Sequence, residues 1–441
     1  MIGKERMIED GITKRVLDNG LTVLIREMHH APVASLWLWF RVGSRNELPG
    51  ITGISHWVEH MMFKGTPRVP KGELDRLISR EGGYNNAMTW LDWTAYFETL
   101  PTQRIDLALE IEADRMVDAL FDSQEVEAER TVIISERQGA ENEPSFRLGE
   151  AIQAAAFRVH PYHHMVIGDL CDLTTITRDD LYNYYRRYYV ANNAVLVMSG
   201  DVDGGITLNK IEALFEEIPS GKALPPIARE EPVQMGERRV IVEGEGTTTY
   251  VELAFHAPRA TDSDLFPMLA LNAVLAGIGR LSPFGSGSAN RSSRLYKALV
   301  ETELASSVSG NLPITMDPYL YTVSATVRTG RTPQQVEEAM WAEVERLVRE
   351  PAGQEELNKA LKQAKAQFAY ASESVTNQAL WLGFAEILGD YGWFMTFIDQ
   401  LNQVTLEDVH RVATIYLARR NSTVGWFVPD DKVSLERTND H

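Results

Sequence analysis

Two histidines and a glutamate lie close together in the string H-W-V-E-H, which runs from His56 to His60. At about 100° per residue, positions 56, 59 and 60 fall within one arc of roughly 100° on a helix. Neutral imidazoles are good ligands for Zn²⁺, and the nearby carboxylate of Glu59 can take a proton from water on the metal. The string is the inverted form of the H-E-x-x-H zinc signature and predicts a zinc site. The alternative is a chance grouping of ordinary surface histidines.

The residues around this string predict a buried helix. The segment 50–53 is typical of a turn, and the run 54–63 contains no glycine or proline. Gly65 and Pro67 then indicate the end of the helix. Apart from Ser55, the other side chains of the run are apolar. Buried imidazoles and a buried carboxylate need partners, and a metal ion supplies them.

A third ligand is expected downstream, because a catalytic zinc ion takes three protein ligands and keeps one position open. The best candidates lie in segment 123–138, where Glu129 and Glu136 are seven residues apart and share one face of a helix. The β-branched run 132–134 weakens the helix prediction for this segment. Either glutamate, taken alone, is equally typical of a solvated acidic side chain.

The chain resembles the pitrilysin and mitochondrial processing peptidase family, whose members carry H-x-x-E-H and, some 75 residues later, a glutamate ligand. Here 75 residues separate His60 from Glu136, and Glu129 occupies the position of a further family glutamate. The resemblance implies His56, His60 and Glu136 as metal ligands. It also implies Glu59 as the base that activates zinc-bound water, and Glu129 either as an auxiliary catalytic carboxylate or as a carboxylate that contacts a metal ligand. Three further blocks carry the resemblance: VGSRNELPGITGISHWVEHMMFKGT, GGYNNAMTWLDWTAYFETLP and HPYHHMVIG.

The family resemblance thus implies a zinc metalloendopeptidase, with one Zn²⁺ per chain, that cleaves extended peptides or precursor segments. A net charge of -19 argues against nucleic acid and against anionic membrane surfaces as partners. The sequence shows neither a signal-peptide core nor an apolar run long enough to span a bilayer, so a cytoplasmic location is expected. The single cysteine, Cys171, excludes an internal disulfide and is expected to be at least half-buried.

An internal repeat predicts the architecture of this 441-residue chain, which is longer than one hydrophobic core usually serves. The segment ITRDDLYNYYRRYYVANNAVLVMSG, from Ile176, is echoed by VTLEDVHRVATIYLARRNSTVGWFV, from Val404. The matched pairs are Thr177 with Thr405, Asp180 with Asp408, Tyr188 with Tyr416 and Asn193 with Asn421. A second echo joins 105–117 to 336–348. We therefore predict an α+β fold of two homologous sandwich-like domains, 1–218 and 236–441, joined by a linker at 219–235. The family resemblance implies that these domains are of the processing-peptidase type.

Alternating patterns predict strands at 22–26, 35–42, 93–99 and 194–199 in the first half, and at 239–242, 249–254, 319–327 and 423–428 in the second.

The repeat also limits the number of metal sites. Along the second echo, Glu129 falls on Ala360 and Glu136 falls on Gln367. We therefore expect one site per chain, in the N-terminal domain.

A peptide-binding strand is predicted at Asn86, Ala87, Met88 and Thr89. The preceding pair of glycines, 82–83, lets the chain run close to another backbone, so this segment is typical of an exposed strand edge. An extended peptide can pair along such an edge by main-chain hydrogen bonds, as the corresponding family strand does. The alternative for Asn86 is a turn residue.

The second half departs from the family pattern at two positions. Many members carry an arginine, followed seven residues later by a tyrosine, that holds the substrate carbonyl. Here Val300 and Ser306 take these places, and the loop is one residue shorter. The departure predicts a heterodimer in which a homologous subunit supplies the Arg/Tyr pair. The alternative assembly is a homodimer that uses Tyr296 or Arg294. The alternative function is a non-catalytic core or assembly subunit of a larger complex.

Overall fold

The computed structural model describes residues 6–8, 11–224, 226–227, 229–278, 282–283 and 291–430. Within these residues, the strands form a seven-stranded sheet and a five-stranded sheet. The first sheet contains β1 (Arg6–Ile8), β2 (Ile12–Val16), β3 (Thr22–Glu27), β4 (Val33–Phe40), β5 (Tyr84–Thr89), β6 (Thr94–Pro101) and β7 (Ala194–Gly200). The second sheet contains β8 (Arg238–Gly244), β9 (Tyr250–His256), β10 (Ala305–Asn311), β11 (Leu320–Val327) and β12 (Ser422–Pro429).

Helices connect and cover these strands. Those before β8 are α1 (Ile54–Met61), α2 (Glu73–Arg80), α3 (Ile105–Asp118), α4 (Ser123–Glu141), α5 (Pro144–Ala156), α6 (Leu170–Leu173), α7 (Arg178–Tyr188) and α8 (Gly204–Phe215). Those after β9 are α9 (Leu265–Leu275), α10 (Pro333–Arg349), α11 (Gln354–Ala371), α12 (Val375–Leu388), α13 (Gly392–Met395), α14 (Phe397–Gln403) and α15 (Leu406–Tyr416). A π-helical turn spans Tyr296–Val300.

The first sheet has the strand order β1-β2-β3-β7-β4-β6-β5. The β3–β7 pair is parallel and every other pair is antiparallel. Nearly all residues of β4 and β7 are buried, because helices cover both faces of the sheet. Leu36 and Leu38 belong to the hydrophobic core that also contains buried side chains of α1 and α3. Trp39 lies on the opposite face and contacts Gly383 of α12 closely.

The second sheet repeats this plan. Its strand order is β10-β11-β9-β12-β8, with β12 and β8 parallel and the other pairs antiparallel. Read in the same direction, the corresponding part of the first sheet is β5-β6-β4-β7-β3. The two halves therefore share one topology, and the predicted α+β duplication is confirmed.

The side chains matched in the sequence repeat make the same contacts in both halves. Thr177 and Thr405 each cap a helix, exchanging hydrogen bonds with the aspartate three residues later. The side-chain amides of Asn193 and Asn421 each donate to the carbonyl oxygen of the tyrosine five residues earlier, at 2.8 Å in both cases. The repeated residues thus preserve a helix start and the turn that leads into β7 or β12.

The chain divides into two compact units, and each combines pieces of both sequence halves. One comprises 1–137, 164–228 and 372–394, and the other comprises 138–163, 229–371 and 395–441. In the first unit α12 packs on β4 and β7, and in the second α5 packs on β8 and β12. These units do not coincide with the predicted domains 1–218 and 236–441. The bounds of those domains refer to the sequence repeat and stay a prediction.

All eight predicted strands of the repeat are present, and β5 covers the strand predicted at 86–89. The structure adds β1, β2 and β10 to these nine. The predicted helix at 54–63 is α1, and α4 is continuous through its β-branched residues. Cys171 is exposed, contrary to expectation. The glycine-rich connection at 277–293 lies largely outside the described residues. No described helix is both long and apolar enough to cross a membrane.

Candidate metal centre

Helix α1 begins at a fixed point because a buried carboxylate caps it. Gly53 precedes the helix with φ of 86°, in the left-handed region that favours glycine. Glu47 accepts hydrogen bonds from the backbone N–H groups of Gly53 and Ser55 at 2.8 and 2.9 Å. His164 donates to the same carboxylate from Nε2 at 2.8 Å. These bonds satisfy N–H groups that a helix start otherwise leaves unpaired.

The predicted metal ligands come together between α1 and α4. His56 and His60 lie one turn apart on α1, with ring centroids 4.6 Å apart. Glu136 of α4 places Oε1 3.9 Å from Nε2 of His56 and Oε2 3.7 Å from Nε2 of His60. One ligand atom from each of the three lies within 4.8 Å of the others. Within the described part of the chain, this is the one such group of at least three His, Cys, Asp or Glu side chains.

These residues fit a zinc ion. A tetrahedral ion with bonds of about 2.1 Å holds its ligand atoms about 3.4 Å apart, so small side-chain adjustments close the measured gaps. Burial, together with the nearby His60, lowers the pKa of His56 to about 3. His56 is therefore a neutral imidazole at neutral pH, the form that binds a metal. Two imidazoles and one carboxylate are a donor set typical of catalytic zinc.

Glu129 orients the second histidine. Nδ1 of His60 donates to Oε1 of Glu129 at 2.8 Å, which leaves the Nε2 lone pair free to face the metal position. Glu129 also forms an ion pair with Lys64. Although burial opposes its charge, the hydrogen bonds from His60 and Lys64 hold the pKa of Glu129 below its ordinary value. Glu129 thus contacts a predicted ligand and is absent from the ligand group itself.

Glu59 lies on α1 between the two histidines and makes a contact of its own. Its Oε2 accepts a hydrogen bond of 2.5 Å from the hydroxyl of Thr89, the last residue of β5. Burial raises the pKa of Glu59 above its ordinary value, while the Thr89 hydrogen bond and the charge of His60 oppose this rise. A buried carboxylate with a raised pKa is a stronger proton acceptor than a solvated one.

The predicted substrate residues Asn86, Ala87, Met88 and Thr89 all lie in β5. This strand is at the end of its sheet and pairs with β6 alone among the described strands. Asn86 is therefore a strand residue, and its Oδ1 accepts a hydrogen bond from the N–H of Ala87 at 2.9 Å. The outer edge of β5 is suited to pairing with an extended chain.

The second unit holds the two departures from the family pattern. Val300 ends the π-helical turn, and Ser306 is exposed in β10, where its hydroxyl donates to Thr326 O at 3.4 Å. Arg294 makes a bidentate ion pair with Glu356. Its Nε lies 2.9 Å from Oε1 of Glu356, and its Nη2 lies 2.8 Å from Oε2. The guanidinium of Arg294 is therefore already engaged within its own unit.

Sequence reasoning missed the residues that hold this centre in place. Glu47 and Lys64 belong to the block that carries the resemblance, but their charges alone are typical of solvent-exposed side chains. His164 belongs to the HPYHH string, which gave no functional prediction. The signal that could have identified them is the pairing of opposite charges across distant segments, and that pairing becomes visible only in three dimensions.

Two family models match this chain. Residues 22–170 match the model described as "Insulinase (Peptidase family M16)". Residues 175–364 match the model described as "Peptidase M16 inactive domain". Together the two matches span more than half of the chain, and the first contains all the residues of the metal centre.

Individual relatives agree with these matches. The chain is 28% identical over 419 residues to zinc protease PqqE of Helicobacter pylori, covering 94% of this chain and 92% of that protein. It is 30% identical over 295 residues to the mitochondrial-processing peptidase subunit beta of Lentinula edodes, covering 66% of this chain and 63% of that subunit. A crystal structure of a protease from Helicobacter pylori is similar with a TM-score of 0.88 and 27% identity, covering 97% of this chain and all of that one.

Proposed function

This chain belongs to the peptidase M16 family, and from that premise we propose that it is a zinc-dependent metalloendopeptidase acting on extended peptides or precursor segments. The observation that carries the proposal is the convergence of His56, His60 and Glu136, with Glu59 beside them on α1. The duplicated half has Ala360 and Gln367 in place of the two glutamates of α4. The shared fold therefore does not require these carboxylates, which supports a chemical role for them.

In this proposal His56, His60 and Glu136 hold one Zn²⁺. When bound, the ion supplies Lewis-acid polarisation of a peptide carbonyl and lowers the pKa of water. Glu129 keeps His60 in the tautomer with a free Nε2 and carries no bond to the metal itself. Glu129 is then a positioning residue that supports a ligand, which is one of the two roles implied by the family resemblance.

Glu59 is the general base in the proposed reaction. Thr89 occupies Oε2, which leaves Oε1 as the atom that takes a proton from the attacking water. The same carboxyl then gives this proton to the leaving amine, so that Glu59 ends the cycle ionised. Burial of Glu59 keeps bulk water from competing for the carboxylate during this transfer.

The substrate adds a strand to β5. Main-chain hydrogen bonds to the 86–89 segment fix the peptide in an extended form and place few demands on its sequence. Strand addition also sets the register of the scissile bond, because each main-chain hydrogen bond fixes one residue of the peptide. This mode of binding fits cleavage of varied peptides or of exposed precursor segments.

A pair of variants tests the division between ligand and base. Glu59→Gln should keep zinc and lose cleavage by several orders of magnitude, because the amide preserves shape but accepts no proton. Glu136→Gln should lose zinc, because it removes one of three ligands. Zinc content by atomic emission and cleavage of an internally quenched peptide give the two readouts. Equal zinc content in the two variants would contradict the assignment.

We also propose a partner and a location. Val300, Ser306 and the engaged Arg294 support a heterodimer in which a homologous subunit supplies an Arg/Tyr pair. The competing idea of a non-catalytic core subunit is disfavoured by the presence of every residue of the zinc centre. A cytoplasmic location stays a prediction.

A further inference from the structure

We propose that Thr89 is a positioning residue that ties the catalytic base to the peptide-binding strand. The inference rests on the proposed function and deepens it. Thr89 ends β5, and its side chain reaches Glu59 on α1. One residue thus belongs both to the edge that takes the peptide and to the contact that sets the orientation of the base.

The direction of the hydrogen bond is fixed by chemistry. An ionised carboxylate only accepts hydrogen bonds, so the hydrogen between Thr89 and Glu59 comes from the threonine. The hydroxyl of Thr94 lies 3.3 Å from that of Thr89, but it donates its own hydrogen to Val42 O at 2.9 Å. The hydroxyl of Thr89 is therefore directed at Oε2 of Glu59.

The backbone around Thr89 is anchored, so the donor is held in place before substrate arrives. Trp90 N–H donates to Trp93 O at 2.8 Å and closes the turn after β5. The same turn accepts hydrogen bonds from Ser44 N–H and Arg45 N–H, at 3.2 and 2.8 Å. A rigid donor holds the carboxylate in one orientation, with Oε1 facing the reacting water.

The arrangement has a consequence for catalysis. A peptide that pairs with β5 takes its register from the strand that also orients the base. The same strand therefore positions both the scissile bond and Oε1 of Glu59. A displacement of about 1 Å at a catalytic group can cost about 100-fold in rate. Loss of the Thr89 hydroxyl should therefore lower turnover without weakening peptide binding, since strand pairing uses the main chain.

A matched set of threonine variants tests this role. Thr89→Val, which keeps the shape and removes the hydroxyl, should lower kcat about 10- to 100-fold while KM and zinc content stay as in the wild type. Thr89→Ser should recover most of kcat. Thr99→Val in β6, whose hydroxyl bonds to Ser35 and Thr376, serves as the control and should keep wild-type kcat.

Wild-type kcat in Thr89→Val would overturn the inference, as would loss of zinc from that variant or failure of Thr89→Ser to recover activity. Absence of cleavage by the wild type, with any partner, would instead contradict the proposed function. A second measurement then decides on Thr89 by itself. In the zinc-free protein, urea midpoints of Thr89→Val, Glu59→Ala and the double variant form a cycle. We expect the urea midpoint of the double variant to fall by less than the sum of the falls in the two single variants. Strictly additive falls would overturn the inference.

Discussion

At the scale of single residues, the candidate metal centre is a set of proposed ligands with supporting contacts. Nδ1 of His60 donates a hydrogen bond to Glu129, and Glu129 also forms an ion pair with Lys64. These contacts hold the imidazole in one tautomer before a metal arrives. Zinc affinity should therefore depend on residues that never touch the ion.

Glu129→Gln tests this dependence. The amide cannot stabilise His60 as the carboxylate does, so zinc affinity should fall roughly 10- to 100-fold without being abolished. Competition with a chromophoric chelator measures the affinity directly. Glu127→Gln is the matched control, because Glu127 lies on the same helix and bonds to Arg130 instead. An unchanged affinity in Glu129→Gln would show that Glu129 does not support the ligand.

The grouping of the proposed ligand residues could be predicted from the sequence because their spacing is local or matches a family pattern. His56, Glu59 and His60 lie within one helical turn and a half, so helix geometry alone places them together. Glu136 and Glu129 share a face of α4 but needed the resemblance to be linked to α1. The contact between Thr89 and Glu59 could not be predicted, because it depends on how β5 passes α1 in three dimensions.

At the scale of elements, the start of α1 depends on the buried pair of Glu47 and His164. Burial of His164 opposes its charge, but the hydrogen bond and the charge of Glu47 outweigh burial and raise its pKa above 6.5. Protonation of His164 therefore stabilises the folded state. This stabilisation is fully present below pH 6.5, and it is lost as the pH rises through the folded-state pKa.

His164→Gln tests this pH dependence. In urea unfolding of the zinc-free protein, the free energy of unfolding of the wild type should exceed that of the variant by the largest amount below pH about 6.5. This difference should shrink as the pH rises. Glu47→Gln should remove most of the same pH dependence, because the raised pKa of His164 comes mainly from that carboxylate, with smaller contributions from the charges of Asp169 and Asp172. A difference that grows with rising pH would mean that His164 is stabilised as the neutral form.

The elements themselves were largely predictable, whereas their packing partners were not. Alternating or continuous apolar patterns located β3, β4 and β7 and their counterparts, because burial leaves its mark on each strand. Helix α12 is buried over most of its length, and its sequence shows this burial without showing which sheet covers it. Its packing on β4 and β7, and that of α5 on β8 and β12, therefore emerged only from the structure.

At the scale of the whole molecule, we expect the departures at Val300 and Ser306 to limit the activity of the chain alone. Removing one oxyanion donor costs about 10² to 10³ in rate in comparable sites. We expect weak peptidase activity from the isolated chain with zinc bound. Adding a homologous subunit that carries Arg and Tyr in this block should raise kcat sharply and leave zinc content unchanged, and substituting that Arg or Tyr should remove the gain. Full activity of the chain alone would favour a homodimer with other donors.

Removal and return of zinc tests the central claim most directly. The wild type and Glu59→Gln are freed of metal with a chelator and then given one equivalent of Zn²⁺, with the homologous subunit present throughout. Cleavage of a quenched peptide should disappear from the wild type on zinc removal and return with that one equivalent. Glu59→Gln should take up the same zinc and remain inactive. Cleavage by the metal-free wild type, or recovery of cleavage by Glu59→Gln, would contradict a zinc peptidase in which Glu59 is the base.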